Sequence, residues 1–185
     1  MTVDLTRARA VPGWMTLGEL TWLAEQASQA RVVVEVGAWK GRSTMALADH
    51  CPGRVYTIDT WSGPCLTEGG RVHPVKTAVS GDFRRHLRAH LASGHVRALC
   101  VPSRLGLPRL ARRLGRVADL VFLDGDHRKR ALAADIAAAL PLVKPGGVLA
   151  GHDYTNAAWP GVATAVDEAF GGAHQLVDSI WWVRP

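Results

Sequence analysis

Two short runs hold the residues best suited to chemistry, Asp124-Gly125-Asp126-His127 and Gly151-His152-Asp153-Tyr154. Each follows an apolar stretch, so each stands where a buried strand would deliver it to the edge of a sheet. Carboxylates and imidazoles from two adjacent strand ends are ligands for a divalent cation. Mg2+ prefers oxygen and keeps several waters, so two or three protein ligands suffice. A cation held by ligands drawn from Asp124, Asp126, His127, His152 and Asp153 would bind two substrate oxygens and lower the pKa of a hydroxyl. His127, three residues after Asp124, is then the candidate general base. Asp126 reads more simply as the cap of a helix starting near Arg128, and packing alone is the alternative for His152.

A second constellation precedes these. The run Arg31–Gly41 opens with Val32-Val33-Val34, reads Glu35-x-Gly37-x-x-x-Gly41, and leads into the amphipathic segment Arg42–His50. Strand, glycine turn and helix bring backbone N–H groups and a helix N-terminus up to a nucleotide-like ligand. Asp59 lies 22 residues beyond Gly37, at the end of the next strand, where a carboxylate accepts the two hydroxyls of a ribose. The tight G-x-G-x-x-G pyrophosphate cradle is missing. An acidic residue two positions before the first glycine would repel a pyrophosphate but suits a cationic ligand. S-adenosylmethionine (SAM), with a ribose, a sulfonium, an ammonium and no phosphate, fits better.

These residues need a frame. Thr16 and Glu19 form a capping-box pattern for a helix reaching about Ala30. Strands are expected at Val32–Val36, Arg54–Ile58, Val96–Val101, Ala118–Leu123 and Val148–Ala150, with helices between them at Arg42–His50, about Asp82–Ala92, around Leu107–Leu114 and up to Leu140. A last helix near Gly161–Phe170 precedes two short apolar runs, Gln175–Val177 and Ile180–Val183. Strands alternating with helices predict an α/β, Rossmann-like doubly wound, mostly parallel seven-stranded sheet. The closing strand pair breaks the alternation and adds one antiparallel strand near the C-terminus. Residues 1–13 read as a frayed or extended, flexible segment, and 14–185 as one domain. The connection 60–81, with Trp61, Glu68 and His73, is long for a compact domain and reads as a lid over the acceptor site.

Composition narrows the class. The 185 residues, 48% apolar and 21% charged, suit a globular domain with a full core. No secretory or membrane-spanning run is expected, and Cys51, Cys65 and Cys100 lack zinc spacing, so they read as reduced thiols of a cytoplasmic protein. The net charge of +6 invites a nucleic-acid reading, but the densest arginines fall on helices with apolar opposite faces and read as solvated surface. Trp181-Trp182 on the terminal strand is compatible with a homodimer interface, because one of the two must point away from the core face.

The motifs EVGAWKGRST, YTIDTW, FLDGDH and LVKPGGVLAGHDY, in this order over residues 14–183, resemble class I SAM-dependent methyltransferases. More narrowly they resemble the small bacterial macrolide-sugar O-methyltransferase branch, the macrocin O-methyltransferase type. The resemblance implies that Glu35, Gly37 and Gly41 lie at the methionine part of the cofactor and Asp59 at the ribose, with Ser43 and Thr60 also binding the cofactor. It implies Trp61 near the adenine or the lid, and Ser103 beside the adenine. Asp124 would hold Mg2+ and border the cofactor, His127 would be the base, and His152-Asp153 would complete the metal site. The histidine in that pair is a departure from the acidic or amide residues of metal-dependent relatives.

The expected activity is O-methylation of a small hydroxylated molecule, a saccharide or glycosylated metabolite, with no membrane partner. A nucleic-acid methyltransferase is the first rival, but Asp124-Gly125-Asp126-His127 stands where an Asn/Asp-Pro-Pro-aromatic turn would be expected. A non-catalytic cofactor-binding partner protein is the second, since a fold alone proves no chemistry. A catechol-type acceptor shares the metal-site logic.

Overall fold

The computed structural model describes residues 3–61 and 76–185. Its elements in chain order are α1 (Thr6–Ala10), α2 (Leu17–Ser28), β1 (Val32–Val36), α3 (Arg42–His50), β2 (Arg54–Asp59), α4 (Lys76–His86), α5 (Arg88–Ala92), β3 (Val96–Cys100), α6 (Ser103–Leu114), β4 (Ala118–Leu123), α7 (Lys129–Ala139), β5 (Val143–Gly151), α8 (Pro160–Phe170), β6 (Gln175–Val177) and β7 (Ile180–Val183). They form one seven-stranded sheet in the order β3-β2-β1-β4-β5-β7-β6. The first five strands are parallel, and β7 runs antiparallel to both β5 and β6, so it is the single reversed strand.

Side-chain alternation assigns the two faces. Val33, Val55, Phe122 and Ala150 pack under α1, α2 and α3, while Val34, Val36, Ile58, Val121 and Leu149 pack under α6, α7 and α8. Two apolar layers thus cover a sheet whose β-branched runs are buried on both sides, as parallel strands require. Each fully buried Val, Leu or Ile contributes about 1.5–3 kcal/mol. In register, Val36 sits opposite Ile58 and Leu123, and Leu123 opposite Gly151. The residues that follow these positions therefore emerge along one edge.

Several expectations change. The N-terminal segment is not extended: it carries α1, and Leu5, Ala8 and Val11 are buried in the first apolar layer. Their spacing of three puts them on one helical stripe, which the following Pro12-Gly13 masks. The expected Asp82–Ala92 helix is two helices, α4 and α5, joined at Leu87. Strand β5 begins five residues early, and its Lys144–Gly147 turn is absorbed as an irregularity against β4. Trp181 packs against Phe170 and Trp182 against Trp22, so the chain itself covers both rings, and they supply no argument for a dimer. Glu68, His73 and Cys65 of the expected lid lie outside the described residues. Among the described residues no helix is long and apolar enough to cross a membrane.

Glu35 points to the α3 side of β1 and is fully buried. Ser43 Oγ donates to its Oε1 and Thr44 Oγ1 to its Oε2, each at 2.6 Å. Glu35, Ser43 and Thr44 thus satisfy one another beneath the first turn of α3, directly behind the glycine turn. Burial pushes the carboxyl up to about 7, with the two hydroxyls opposing. A carboxyl raised in the fold contributes stability that is fully present below its ordinary value of 4.5 and lost as pH rises through about 7. Glu35→Gln is therefore expected to flatten the decline in stability between these pH values, a term on the order of 3 kcal/mol. Glu35→Ala, which orphans two buried hydroxyls, should lose about 2–4 kcal/mol at every pH. Denaturant unfolding at pH 5 and pH 8 checks both.

Candidate active site

The glycine turn after β1 is set by its neighbour β4. Gly37 has φ +87°, and a Cβ there would overlap the Asp124 carbonyl oxygen, so no side chain fits. Gly37 N donates to Ile58 O at 2.9 Å, and Asp124 N donates to Val36 O at 2.7 Å. Beyond it, Asp59 organises the turn. The amides of Ala38 and Trp39 both donate to Asp59 Oδ2 at 2.8 Å, and that of Trp61 to Oδ1 at 2.6 Å. Trp39 and Trp61 hold left-handed backbones, with φ of 43° and 46°. Three of the roughly four lone-pair positions of the carboxylate are thus taken, leaving about one for a ligand hydroxyl. Trp61 is buried against Phe83, with its Nε1 donating to Trp39 O at 3.0 Å, so it supports the turn from below. Gly41 is the N-cap of α3, and no side chain caps that helix end. Thr60 adjoins Asp59 at the same edge, and Ser103 opens α6 beyond β3. The Ser103 hydroxyl bonds the buried carboxyl of Asp135, which burial pushes up to about 6 against that bond.

The second half of the site is a carboxylate–imidazole cluster beyond β4 and β5. His127 Nε2 lies 2.7 Å from Asp153 Oδ2 and 3.3 Å from Asp124 Oδ1. His152 Nδ1 lies 3.5 Å from Asp153 Oδ2 and 3.7 Å from Asp124 Oδ1. One ligand atom from each of Asp124, His152 and Asp153 falls within 4.8 Å of the others, a donor set that fits a divalent cation. Asp153 adopts φ 64°, a left-handed backbone that Asp tolerates better than most residues, and Asn156 Nδ2 donates to its Oδ1 at 2.7 Å. Asp126 does not cap α7: it binds the Arg128 amide and guanidinium just before the helix, and Arg128 occupies the cap position.

Sequence reasoning missed three contributors. Glu19, read as a capping residue, does complete the capping box, but its Oε1 also lies 3.1 Å from His152 Nε2. That Nε2 has no aligned hydrogen-bond partner, so the pair is a charge contact across α2 and β5. Trp159 stacks on the His127 ring, with centroids 5.1 Å apart and planes at 24°. Trp39, inside the glycine turn, packs against Trp14 with ring centroids 4.3 Å apart and planes tilted by 35°. No local pattern announces the first two. The third was signalled by a large aromatic between two glycines of a ligand-facing turn.

Burial disfavours charge on both imidazoles, but the carboxylates outweigh it. Asp124 and Asp153 push His127 up to about 9, and Asp153 with Glu19 pushes His152 up to about 10. Asp153 is held well below the usual carboxylate range: burial opposes this, and His127, His152 and Asn156 overcome it. A histidine raised in the fold contributes stability that is fully present below its ordinary value of 6.5 and lost as pH rises through about 9. The melting temperature should therefore fall between pH 7 and pH 10. The His127 ring protons should titrate near pH 9 by NMR, and Asp153→Asn should move that titration towards 6.5.

Comparison with known proteins agrees with this geometry. A family model described as a methyltransferase domain matches residues 34–154, from β1 to the turn after β5. Comparison with curated protein sequences gives no match. Among solved structures, the calicheamicin methyltransferase CalS11 superposes with a TM-score of 0.70 at 19% identity, covering 89% of this chain and 76% of that one. An O-methyltransferase from Bacillus cereus in complex with SAH gives 0.68 at 18% identity over 96% and 86%. The MycE methyltransferase from the mycinamycin biosynthetic pathway, in complex with Mg, SAH and mycinamycin VI, gives 0.65 at 19% identity, covering 98% of this chain and 54% of that one. The structural likeness establishes a shared fold, and the match across most of the sheet establishes that the chain belongs to the methyltransferase-domain family.

Proposed function

We propose that this chain transfers a methyl group from SAM to a hydroxyl of a small saccharide or glycosylated metabolite, assisted by a divalent cation such as Mg2+. One observation carries the reading: His127, locked between Asp124 and Asp153, stands on the strand edge that also holds the glycine turn and Asp59. A base and its carboxylates thus adjoin a cradle suited to a nucleoside. Names of structural neighbours support the acceptor class. CalS11 is also described as a TDP-rhamnose 3'-O-methyltransferase, and MycE was solved with Mg and a macrolide.

When bound, SAM would supply an electrophilic methyl group on a positively charged sulfur, with a neutral thioether as the leaving group. A divalent cation at Asp124, His152 and Asp153 would lower the pKa of the acceptor hydroxyl. Gly37 and Gly41, whose missing side chains make room for the Asp124 carbonyl and for Leu87 and Phe83, shape the turn that would hold the donor, Asp59 would receive a ribose hydroxyl, and Ser103 would border the adenine. His127 must be neutral to take the acceptor proton, so the carboxylates that hold its own proton also set the pH at which it works. Trp159 fixes the ring plane. Trp14, 78% exposed and supported by Trp39, presents an aromatic face of the kind that carries the C–H face of a sugar ring. Holding two reactants in line contributes about 7–11 kcal/mol to the barrier reduction.

Calorimetry should show S-adenosylhomocysteine binding that weakens in Asp59→Ala. With radiolabelled SAM and a panel of nucleotide sugars and glycosides, His127→Ala should lose about 10²–10⁴-fold in kcat. Trp14→Ala should raise KM for the acceptor with kcat retained. Absence of cofactor-product binding would refute the reading, and full turnover by His127→Ala would remove the base assignment.

A further inference from the structure

We propose that Glu19 selects the cation: it holds His152 so that Nδ1 joins Asp124 and Asp153 as a third donor, and the site thereby takes a first-row transition ion such as Mn2+ in preference to Mg2+. This rests on the reading that a cation binds at the cluster, and it adds the identity of the ion and the residue that governs it.

The argument begins with what Glu19 does beyond capping. A capping box needs one carboxylate oxygen, and Oε2 fills that role by accepting from Thr16 N at 2.8 Å. The other oxygen, Oε1, is turned away from the helix end. It accepts from Ser179 N at 3.1 Å and faces His152 Nε2 at 3.1 Å. Glu19 is 1% exposed and His152 9%, so neither side chain can swing to solvent without breaking the packing between α2, β5 and the turn before β7. A neutral imidazole presents a lone pair from one nitrogen only when the other carries the proton. With a buried carboxylate opposite Nε2, the proton belongs on that side and the lone pair on Nδ1. That atom faces Asp124 Oδ1 and Asp153 Oδ2. Carboxylate behind imidazole is the arrangement that fixes ring orientation and raises ligand basicity at protein metal sites.

The donor set decides the preference. Mg2+ asks for oxygen in a near-ideal octahedron and dehydrates reluctantly, whereas imidazole nitrogen suits transition ions. Mn2+ takes oxygen donors as Mg2+ does but also accepts an imidazole, whereas Mg2+ gains little from nitrogen, so one imidazole beside two carboxylates widens the margin in favour of the transition ion. A carboxylate or amide at position 152 would have made an all-oxygen site.

The test uses the whole chain with S-adenosylhomocysteine present. Free Mn2+ is followed by electron paramagnetic resonance, and Mg2+ is measured by its displacement of Mn2+. Wild type is expected to bind Mn2+ more tightly than Mg2+, with spin-echo modulation from a directly bound nitrogen-14. Glu19→Gln should weaken Mn2+ by about 10–100-fold and Mg2+ by less, so the preference shrinks. His152→Asp should narrow the preference and abolish the nitrogen signal, and Glu19→Gln should then add nothing. Thr16→Ala, which removes the cap bond to Glu19 N and the bond to Asp178 but keeps the Thr16 amide on Glu19 Oε2, should lower the melting temperature and leave the ratio unchanged. Equal affinity for the two ions, no nitrogen signal, or a folded Glu19→Gln with an unaltered ratio would overturn the proposal. If Glu19→Gln does not fold, the wild-type ratio and His152→Asp decide. Cofactor-product binding in the same samples separates the two levels: its presence with no bound ion overturns this inference alone, and its absence overturns the methyltransfer reading.

Discussion

The close approach of β1 to β4 at their carboxyl ends is the constraint on which the rest depends. Gly37 has no room for a side chain because the Asp124 carbonyl occupies that space. The same contact brings the turn that faces a donor beside the residue that begins the carboxylate cluster. Parallel register carries the arrangement outward: β2 places Asp59 on one flank, and β5 places His152 and Asp153 on the other. A shift of one residue in either pairing would turn these side chains to the opposite face of the sheet. The core layers that fix the register are therefore part of the site's construction.

Charge is the second organising term. Asp124, Asp153 and Glu19 surround two imidazoles in a partly buried space, and in the absence of a cation the imidazoles hold protons that balance them. The positive charge that balances these carboxylates in the described structure comes from the imidazoles themselves. Glu35 follows the opposite logic. It has hydroxyl donors but no cation, and it gains stability by keeping its own proton.

Much of this was legible in the sequence. Gly37, Asp59, Asp124, His127, His152 and Asp153 follow apolar runs whose lengths and composition mark strands, and a parallel sheet delivers all such positions to one edge. The side to which Glu35 points was also readable, since alternation from Val34 and Val36 sends it towards α3. Its two hydroxyl partners, Ser43 and Thr44, are supplied by the helix on that face. The second role of Glu19 was not readable, because its contact with His152 spans α2 to β5 and its capping pattern already accounted for it locally. Trp159 stacks on His127 from a helix entry 32 residues later, a distance at which sequence spacing carries no information.

The turn between β6 and β7 has a consequence for the order in which the molecule is made. Asp178 accepts from Thr16 Oγ1 at 2.6 Å, Ser179 N donates to Glu19 at 3.1 Å, and Ser179 O accepts from Tyr154 N at 3.0 Å. The first and last parts of the chain meet behind His152. During synthesis the glycine turn, Asp59, Asp124 and His127 can all be in place while residues 178–183 are still within the ribosome. The support behind the last imidazole closes only after they emerge. A nascent chain would therefore hold the glycine turn and Asp59 before it held a finished cluster.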